Sequence, residues 1–346
     1  MNKWLRMPEW PYGVMVSLAV TGMMLACTVV DLFMPRQLPP MTQQMHQSWD
    51  SLWVELRQSG RADSLGLRAW TYRAATYARV LNLGPPYPGH YPMEGSLSTW
   101  QWMRLMASGR QTPVRLVWVK FRTTAELASF LGRQLRADSS QWQQVFMDSL
   151  KTDSMNLGPS HLMSLFLPNT YQVYWTVRPA SMVARMSREF EKFWNQRRRS
   201  LAARQGLNPW QATILASIVE EESQYAPERP RIAGVYLNRL RLGMPLQADP
   251  TLKFAIGQFA LRRIGKVQMQ FPSPYNTYLN TGLPPGPICT PSPSSIESVL
   301  HAENHSYLYF CADPGQPGQH LFARHYPQHL AHARRYHAWL SRRGIR

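Results

Sequence analysis

From Trp10 to Val30 the chain carries no charged residue, and most of the stretch is apolar. A run of about 20 such residues is what a helix needs to cross a bilayer core. This constrains the whole chain: a short tip, a single span, and a long body on one side. The alternatives are a cleaved signal peptide and a lipoprotein signal, because Leu25-Ala26-Cys27 approximates a lipobox. Met24 and Leu25 fit poorly before such a cysteine, and no small-x-small site closes the run, so a retained anchor is the expectation. Lys3 and Arg6 precede the span against Glu9, whereas the near flank beyond it holds only Asp31 and Arg36. That asymmetry orients the amino terminus to the cytoplasm and the body outward.

Of the 346 residues, 44% are hydrophobic and 12% aromatic, which excludes a disordered chain and suggests two or three packed units. Thirty-eight Lys and Arg against 20 Asp and Glu leave a net charge of +18. Such a body attracts polyanions: nucleic acid, anionic lipid or the acidic polymers of a cell envelope. The three cysteines, Cys27, Cys289 and Cys311, are too scattered for a disulfide framework or a structural zinc site. Only Cys289 and Cys311 are candidates to pair, and two free thiols is the simpler reading.

The expected fold class is α+β. Residues 1–34 form a cytoplasmic tip and transmembrane helix, 35–83 a stalk, 84–155 a small α+β module, and 156–346 a mainly helical α+β domain. Within the module, Ser96 to Ala107 reads as a helix with Gly109 near its end, and Val114 to Phe121 as a strand. Thr123 to Glu126 forms a capping box before Leu127, Phe130 and Leu131. A long amphipathic helix runs through Met182, Met186, Phe190 and Trp194, and Arg197 to Arg199 follow it. A charge run at a helix end is usually a solvated face, and no helix-turn-helix or aromatic-interleaved pattern accompanies it. Nucleic acid is therefore not an expected partner.

The chemistry concentrates further on. Asn208 caps and Pro209 opens a helix that is apolar nearly all round until Glu220, Glu221 and Glu222. Successive helical residues lie about 100° apart, so three adjacent carboxylates cannot share one face. Either the triplet is a surface cluster at a helix end, or one carboxyl points to the core or a cleft. Glu220 stacks over the small residues Ala216 and Ser217, and a carboxyl held against apolar surface titrates above the ~4.3 of a free glutamate. Glu220 is the candidate acid. Another helix covers Arg231 to Leu242, and Asp249 is placed to cap one beginning at Pro250. Pro272 to Ile288 is a long irregular stretch of the kind that carries function. Tyr275 and Tyr278 offer flat apolar faces there, and Asn276, Thr277 and Asn280 offer hydrogen bonds, a combination suited to sugars.

Six ordered segments carry a resemblance: Leu215-Ala-Ser-Ile-Val-Glu-Glu-Glu222, Ala233-Gly-Val-Tyr-Leu-Asn-Arg-Leu240, Leu246-Gln-Ala-Asp-Pro-Thr251, Ser273-Pro-Tyr-Asn-Thr-Tyr278, Gly282-Leu-Pro-Pro-Gly-Pro-Ile288 and Tyr307-Leu-Tyr-Phe310. They resemble the motifs of the YceG-like (MltG-type) endolytic murein transglycosylases. The stretch from about Tyr87 to Leu135 is more loosely similar to that family's LysM-like subdomain. Glu221 stands where many members carry Lys.

The resemblance implies a membrane-anchored lyase that cuts the β-1,4 bond between N-acetylmuramic acid and N-acetylglucosamine in nascent glycan strands and leaves 1,6-anhydro ends. It implies no cofactor, a bacterial inner-membrane location with a periplasmic body, peptidoglycan strands as partner, and penicillin-binding synthases as candidate partners. By this resemblance Glu220 matches the catalytic glutamate. Glu222, Asn238, Gln247, Asp249, Tyr275, Asn276 and Tyr278 are candidates for holding substrate, and His320 for lining the same cleft. A non-catalytic peptidoglycan-binding scaffold is the alternative. Seven histidines crowd the stretch after Leu300, but Pro327 interrupts the His325 and His329 spacing and no further ligand follows. A basic terminal helix is expected there, not a metal site.

Overall fold

The computed structural model describes residues 76–91, 96–151, 161–261 and 264–343, together with isolated positions before residue 76. The apolar run 10–30 lies outside them apart from Thr21 and Met23, both helical. Among the described residues no helix is long and apolar enough to cross a membrane.

The fold is α+β and mostly helical, with four two-stranded sheets among the described residues: β1 (Pro35–Gln37) with β4 (Ser96–Ser98), β2 (Met41–Gln43) with β3 (Gly89–Tyr91), β5 (Val114–Val117) with β6 (Thr170–Val173), and β7 (Tyr309–Ala312) with β8 (His320–Ala323). Packing divides the chain into one unit up to Val114 with Gln172–Thr176, and a second of Arg115–Tyr171 with Val177–Arg346.

The first unit is built on Trp49, Tyr91, Trp102, Met103 and Met106, all buried. Helix α1 (Thr99–Ala107) starts three residues later than the sequence pattern suggests. Ser98 accepts the amide of Gln101 while the Gln101 side chain takes the amide of Ser98, and this reciprocal cap fixes the start. The stretch read as a stalk contributes more than a tether: it supplies β1, β2 and Trp49, whose indole N–H donates to the carbonyl of Gly84 at 3.0 Å.

In the second unit, α2 (Thr124–Gln134) and α3 (Ser139–Lys151) precede α4 (Leu162–Leu165), α5 (Pro179–Phe193) and α6 (Gln196–Arg204). Thr123 caps α2 by accepting the amide of Glu126. Met182, Met186 and Phe190 bury one face of α5, as their spacing predicts. Of the basic run after it, Arg198 pairs with Glu297 and Arg199 with Glu191, so two of the three arginines serve local ion pairs.

Helix α7 (Pro209–Glu222) is the centre of this unit. Asn208 and Gln211 form its capping box, and every residue from Ala212 to Val219 is buried. It packs against α8 (Arg229–Arg241), α9 (Asp249–Ile256) and α11 (Pro293–Leu300). The irregular stretch ahead of α11 is fastened to its middle: Ser217 Oγ donates to Ile214 O at 2.7 Å and accepts the amide of Ile288 at 3.0 Å. A buried hydroxyl is thereby satisfied on both sides. Gly234 in α8 is required by a close approach, since a Cβ there would lie 2.5 Å from the carbonyl oxygen of Glu303. Helices α10 (Lys266–Met269) and α12 (Tyr326–Arg342) complete the unit. Cys289 and Cys311 are free thiols.

Candidate active site

The last turn of α7 sends its three glutamates to three different parts of the chain. Glu220 reaches the start of α11, where Oε2 accepts the Ser292 hydroxyl at 2.6 Å, the Ser292 amide at 3.2 Å and the Ser295 hydroxyl. Arg229 Nη1 stands 3.7 Å from the same oxygen. The surroundings of Glu220 are thus hydroxyls, an amide and a guanidinium, not the apolar surface that its stacking on Ala216 and Ser217 suggests.

Glu221 is not a solvated residue either. It bridges Lys120 at 2.6 Å and Arg122 at 3.0 Å, with only 14% of its side chain exposed. Burial pushes its pKa up, but the hydrogen bonds and charges of those two cations outweigh burial and hold the carboxyl below its ordinary value.

Glu222 is the member of the triplet that opens into a cavity, of about 610 Å³. Tyr236 on α8 donates its hydroxyl to Glu222 Oε1 at 2.5 Å. Protein encloses the carboxyl on its other sides, and this desolvation pushes its pKa up to about 7; the charge of Asp249 adds to the rise, while Tyr236, Lys253 and Arg239 pull the other way. A carboxyl poised there holds or releases a proton near neutrality.

The rest of the cavity comes from several segments of this unit. Gln247 carries a left-handed backbone (φ 52°), a conformation that costs energy in a non-glycine residue. Its amide is fixed by the carbonyl of Thr277 at 3.0 Å, and its side-chain oxygen accepts Arg239 Nη1 at 3.2 Å. Asp249 does not cap α9. It lies in the first turn, Ala248 takes the cap position, and the carboxylate instead accepts the hydroxyl of Tyr278. Burial and the adjacent charge of Asp249 push the Tyr278 phenol well above its usual range. His320, on the β7–β8 hairpin, holds Glu228 through Nδ1 at 2.7 Å and through its amide at 3.0 Å. A carboxylate only accepts, so Nδ1 carries the hydrogen. Phe310 and Cys311 from the hairpin and Tyr326 and His329 from α12 close the wall.

Of the sequence candidates, Glu222, Gln247, Asp249, Tyr278 and His320 meet at this cavity; Glu220, Asn238, Tyr275 and Asn276 do not line it. Asn276 is fully buried and holds the loop: Nδ2 donates to Met269 O and Phe271 O, and Oδ1 takes the amide of Tyr278. Asn238 likewise donates to His305 O and Tyr307 O, tying α8 to the segment that leads into β7. Tyr275 packs on Phe254 with ring centroids 4.8 Å apart.

Tyr236 and Arg239 also line the cavity, and neither is among the sequence candidates. Their spacing of three puts both on one face of α8, a signal that was available. Arg239 binds the carbonyls of Leu308, Pro245 and Leu246 and lies over the ring of Tyr309, so one guanidinium joins helix, loop and strand at the wall of the cavity. Among the described residues no group of His, Cys, Asp or Glu could hold a metal ion.

Residues 46–335 match the YceG-like family. One similar protein is the endolytic murein transglycosylase of Bacillus subtilis strain 168, 44% identical over 115 residues, which are 33% of this chain and 31% of that one. Another is the endolytic murein transglycosylase of Streptococcus pneumoniae serotype 2 strain D39, 29% identical over 270 residues, covering 68% of this chain and 48% of that one. The chain thus spans less than half the length of these relatives. A crystal structure described as a yceG-like protein from Listeria monocytogenes shares the fold, with a TM-score of 0.54 and 24% identity over 84% of this chain and 98% of that chain.

Proposed function

We propose, from the premise that this chain belongs to the YceG-like family, that it is an endolytic murein transglycosylase in which Glu222 performs the proton transfers. The observation that carries this reading is the Glu222 carboxyl, held by Tyr236 at the wall of a cavity and raised to a pKa of about 7. A group at that value has both protonation states in reach at neutral pH.

The chemistry needs one such carboxyl. Protonated Glu222 gives its proton to the glycosidic oxygen as the bond from C1 of N-acetylmuramic acid to that oxygen breaks. The sugar's own C6 oxygen closes on C1, and the C6 hydroxyl proton passes to the Glu222 carboxylate. The acid is restored and no water is consumed, so a second carboxylate spaced to activate water is not required. With Oε1 engaged by Tyr236, Oε2 is the oxygen left to face substrate. Asp249, Tyr278, Gln247 and His320 are the groups that orient the sugar. Glu220, which the motif resemblance implied as the acid, serves in this reading to fasten the end of α7 to α11.

The same reading includes a membrane anchor at residues 10–30, a cytoplasmic amino terminus, a periplasmic body and a LysM-like module near Tyr87 to Leu135. Its substrate is nascent peptidoglycan beside the penicillin-binding synthases, where cutting limits strand length. The net charge of +18 supports attraction to that acidic polymer. The test is incubation with purified murein and mass spectrometry of the products. Anhydro-muropeptides from the parent and a severely reduced yield from Glu222→Gln are expected; binding without cleavage by the parent would make it a scaffold.

A further inference from the structure

Cutting inside a strand requires sugars on both sides of the scissile bond, and the cavity described above accounts for one side of Glu222. A second cavity, of about 440 Å³, adjoins it. The two share Glu222, Ala312 and His320, so the carboxyl stands at the boundary between them.

The second cavity has a chemistry of its own. The wall it does not share is neutral: Ser223, Gln224, Tyr225, Gly318 and Gln319. In a chain of net charge +18, a cavity whose own wall has no cation suits an uncharged ligand better than an anion. Tyr225 is 44% exposed, a large aromatic surface left open to the cleft. Its backbone, in contrast, is fixed. The amide accepts no freedom from the turn, because it donates to Ser223 Oγ at 3.1 Å and the carbonyl takes the amide of Glu228 at 3.1 Å. The backbone that carries the ring is therefore fixed three residues from Glu222. Among the described residues the side chains of Gln224 and Gln319 have no hydrogen-bond partner, which leaves two amides for a ligand's hydroxyl and acetamido groups.

We propose that this second cavity is a saccharide subsite across the scissile bond from the first, with Tyr225 as the platform on which a pyranose ring stacks and Gln224 and Gln319 as its hydrogen-bonding sides. The inference rests on the reading of Glu222 as the group at the cut. A flat ring face against the axial hydrogens of a sugar buries apolar surface without charge, and a preordered turn spends little entropy in offering it.

The experiment uses the full chain in detergent, with purified uncrosslinked glycan strands and murein sacculi as probes. Two quantities are read: KM and kcat for anhydro-muropeptide release, and affinity for sacculi by co-sedimentation. Tyr225→Ala should raise KM and weaken sedimentation about 3- to 10-fold, the worth of one aromatic contact, with kcat within about twofold. Tyr225→Trp should restore both. An Ala variant with the parent's KM and affinity overturns the subsite, as does a loss of kcat alone or a defect that Trp fails to restore. If the parent itself releases no anhydro product, the transglycosylase reading fails separately, and sedimentation still decides whether Tyr225 binds glycan.

Discussion

Tyr236 donates its hydroxyl hydrogen to Oε1 of Glu222 across 2.5 Å, from a position fourteen residues further along the chain. A hydrogen bond given to a carboxylate favours the ionised form, so this phenol opposes the rise that burial imposes. Tyr236→Phe should therefore raise the Glu222 pKa further and move the alkaline limb of the rate to higher pH, by up to about one unit for a single bond of this kind. A pH profile of anhydro-product release measures it. A limb that stays in place, or moves down, contradicts the assigned role.

The neighbouring glutamates separate catalysis from scaffolding. Glu222→Gln should lower the rate by about 10²–10⁴-fold or more, the contribution typical of a general acid. Glu220→Gln should instead lower stability by about 1–3 kcal/mol, since it weakens charge-assisted bonds to Ser292 and Ser295 beside Arg229. Activity per folded molecule should remain near the parent's. Rates read alongside thermal melts decide the matter; the opposite pattern would return the acid role to Glu220.

The pH dependence of stability has a definite sign at Glu222. Its folded pKa of about 7 lies above the 4.5 of an exposed glutamate. Stability is then unaffected below about pH 4.5, falls as the carboxyl is forced to ionise between there and 7, and stays reduced above. A shift of this size corresponds to about 3 kcal/mol. Glu222→Gln removes the titration, so at pH 8 the variant should melt above the parent and at pH 4 alongside it. Equal melts at pH 8 would contradict the raised pKa.

If Glu221 faced solvent, as one reading of the triplet allows, Glu221→Gln would be nearly silent. Its bridges to Lys120 and Arg122 change that expectation. Removing the charge leaves two partly buried cations facing each other, at a cost of about 1–2 kcal/mol after allowing for their remaining exposure. Denaturant titration of Glu221→Gln and of Lys120→Met with it checks this: the double variant should recover part of the loss.

Gly234→Ala should invert the usual rule for helices. Alanine ordinarily gains about 1 kcal/mol over glycine within a helix. Here its Cβ would meet the Glu303 carbonyl at 2.5 Å and His305 Nε2 at 2.6 Å, so α8 and the segment leading to β7 must separate. A lower melting temperature and reduced activity are expected, because Phe310 and Cys311 on β7 line the cavity. An unchanged or higher melt would mean that the 303–305 segment yields easily.

Local chemistry was readable wherever neighbours in sequence decide it. Asn208 and Pro209 mark the start of α7, the apolar run after them marks its burial, and the turn formers after Pro272 mark an irregular stretch. The direction of each glutamate was not readable. The spacing states that they diverge, but which one meets a cleft depends on Ser292, Lys120 and Tyr236, far away along the chain or on another helix. Asn276 shows the same limit: a polar loop residue looks like a sugar ligand until its burial and its bonds to Met269 and Phe271 appear. The left-handed backbone of Gln247 has no local signature at all, because glycine would be the usual choice there.

The divergence of the three carboxylates makes α7 intolerant of insertions and deletions. Losing or adding a single residue between Ala212 and Val219 would rotate everything beyond it by about 100°. Glu222 would then turn toward the partners of a neighbour, and each of the other two would be handed a mismatched one. Substitutions that keep the helix length leave this phasing intact, whatever they do to packing. Variation among working versions of this chain should therefore appear as exchanged side chains along α7, with length changes displaced to the turns on either side.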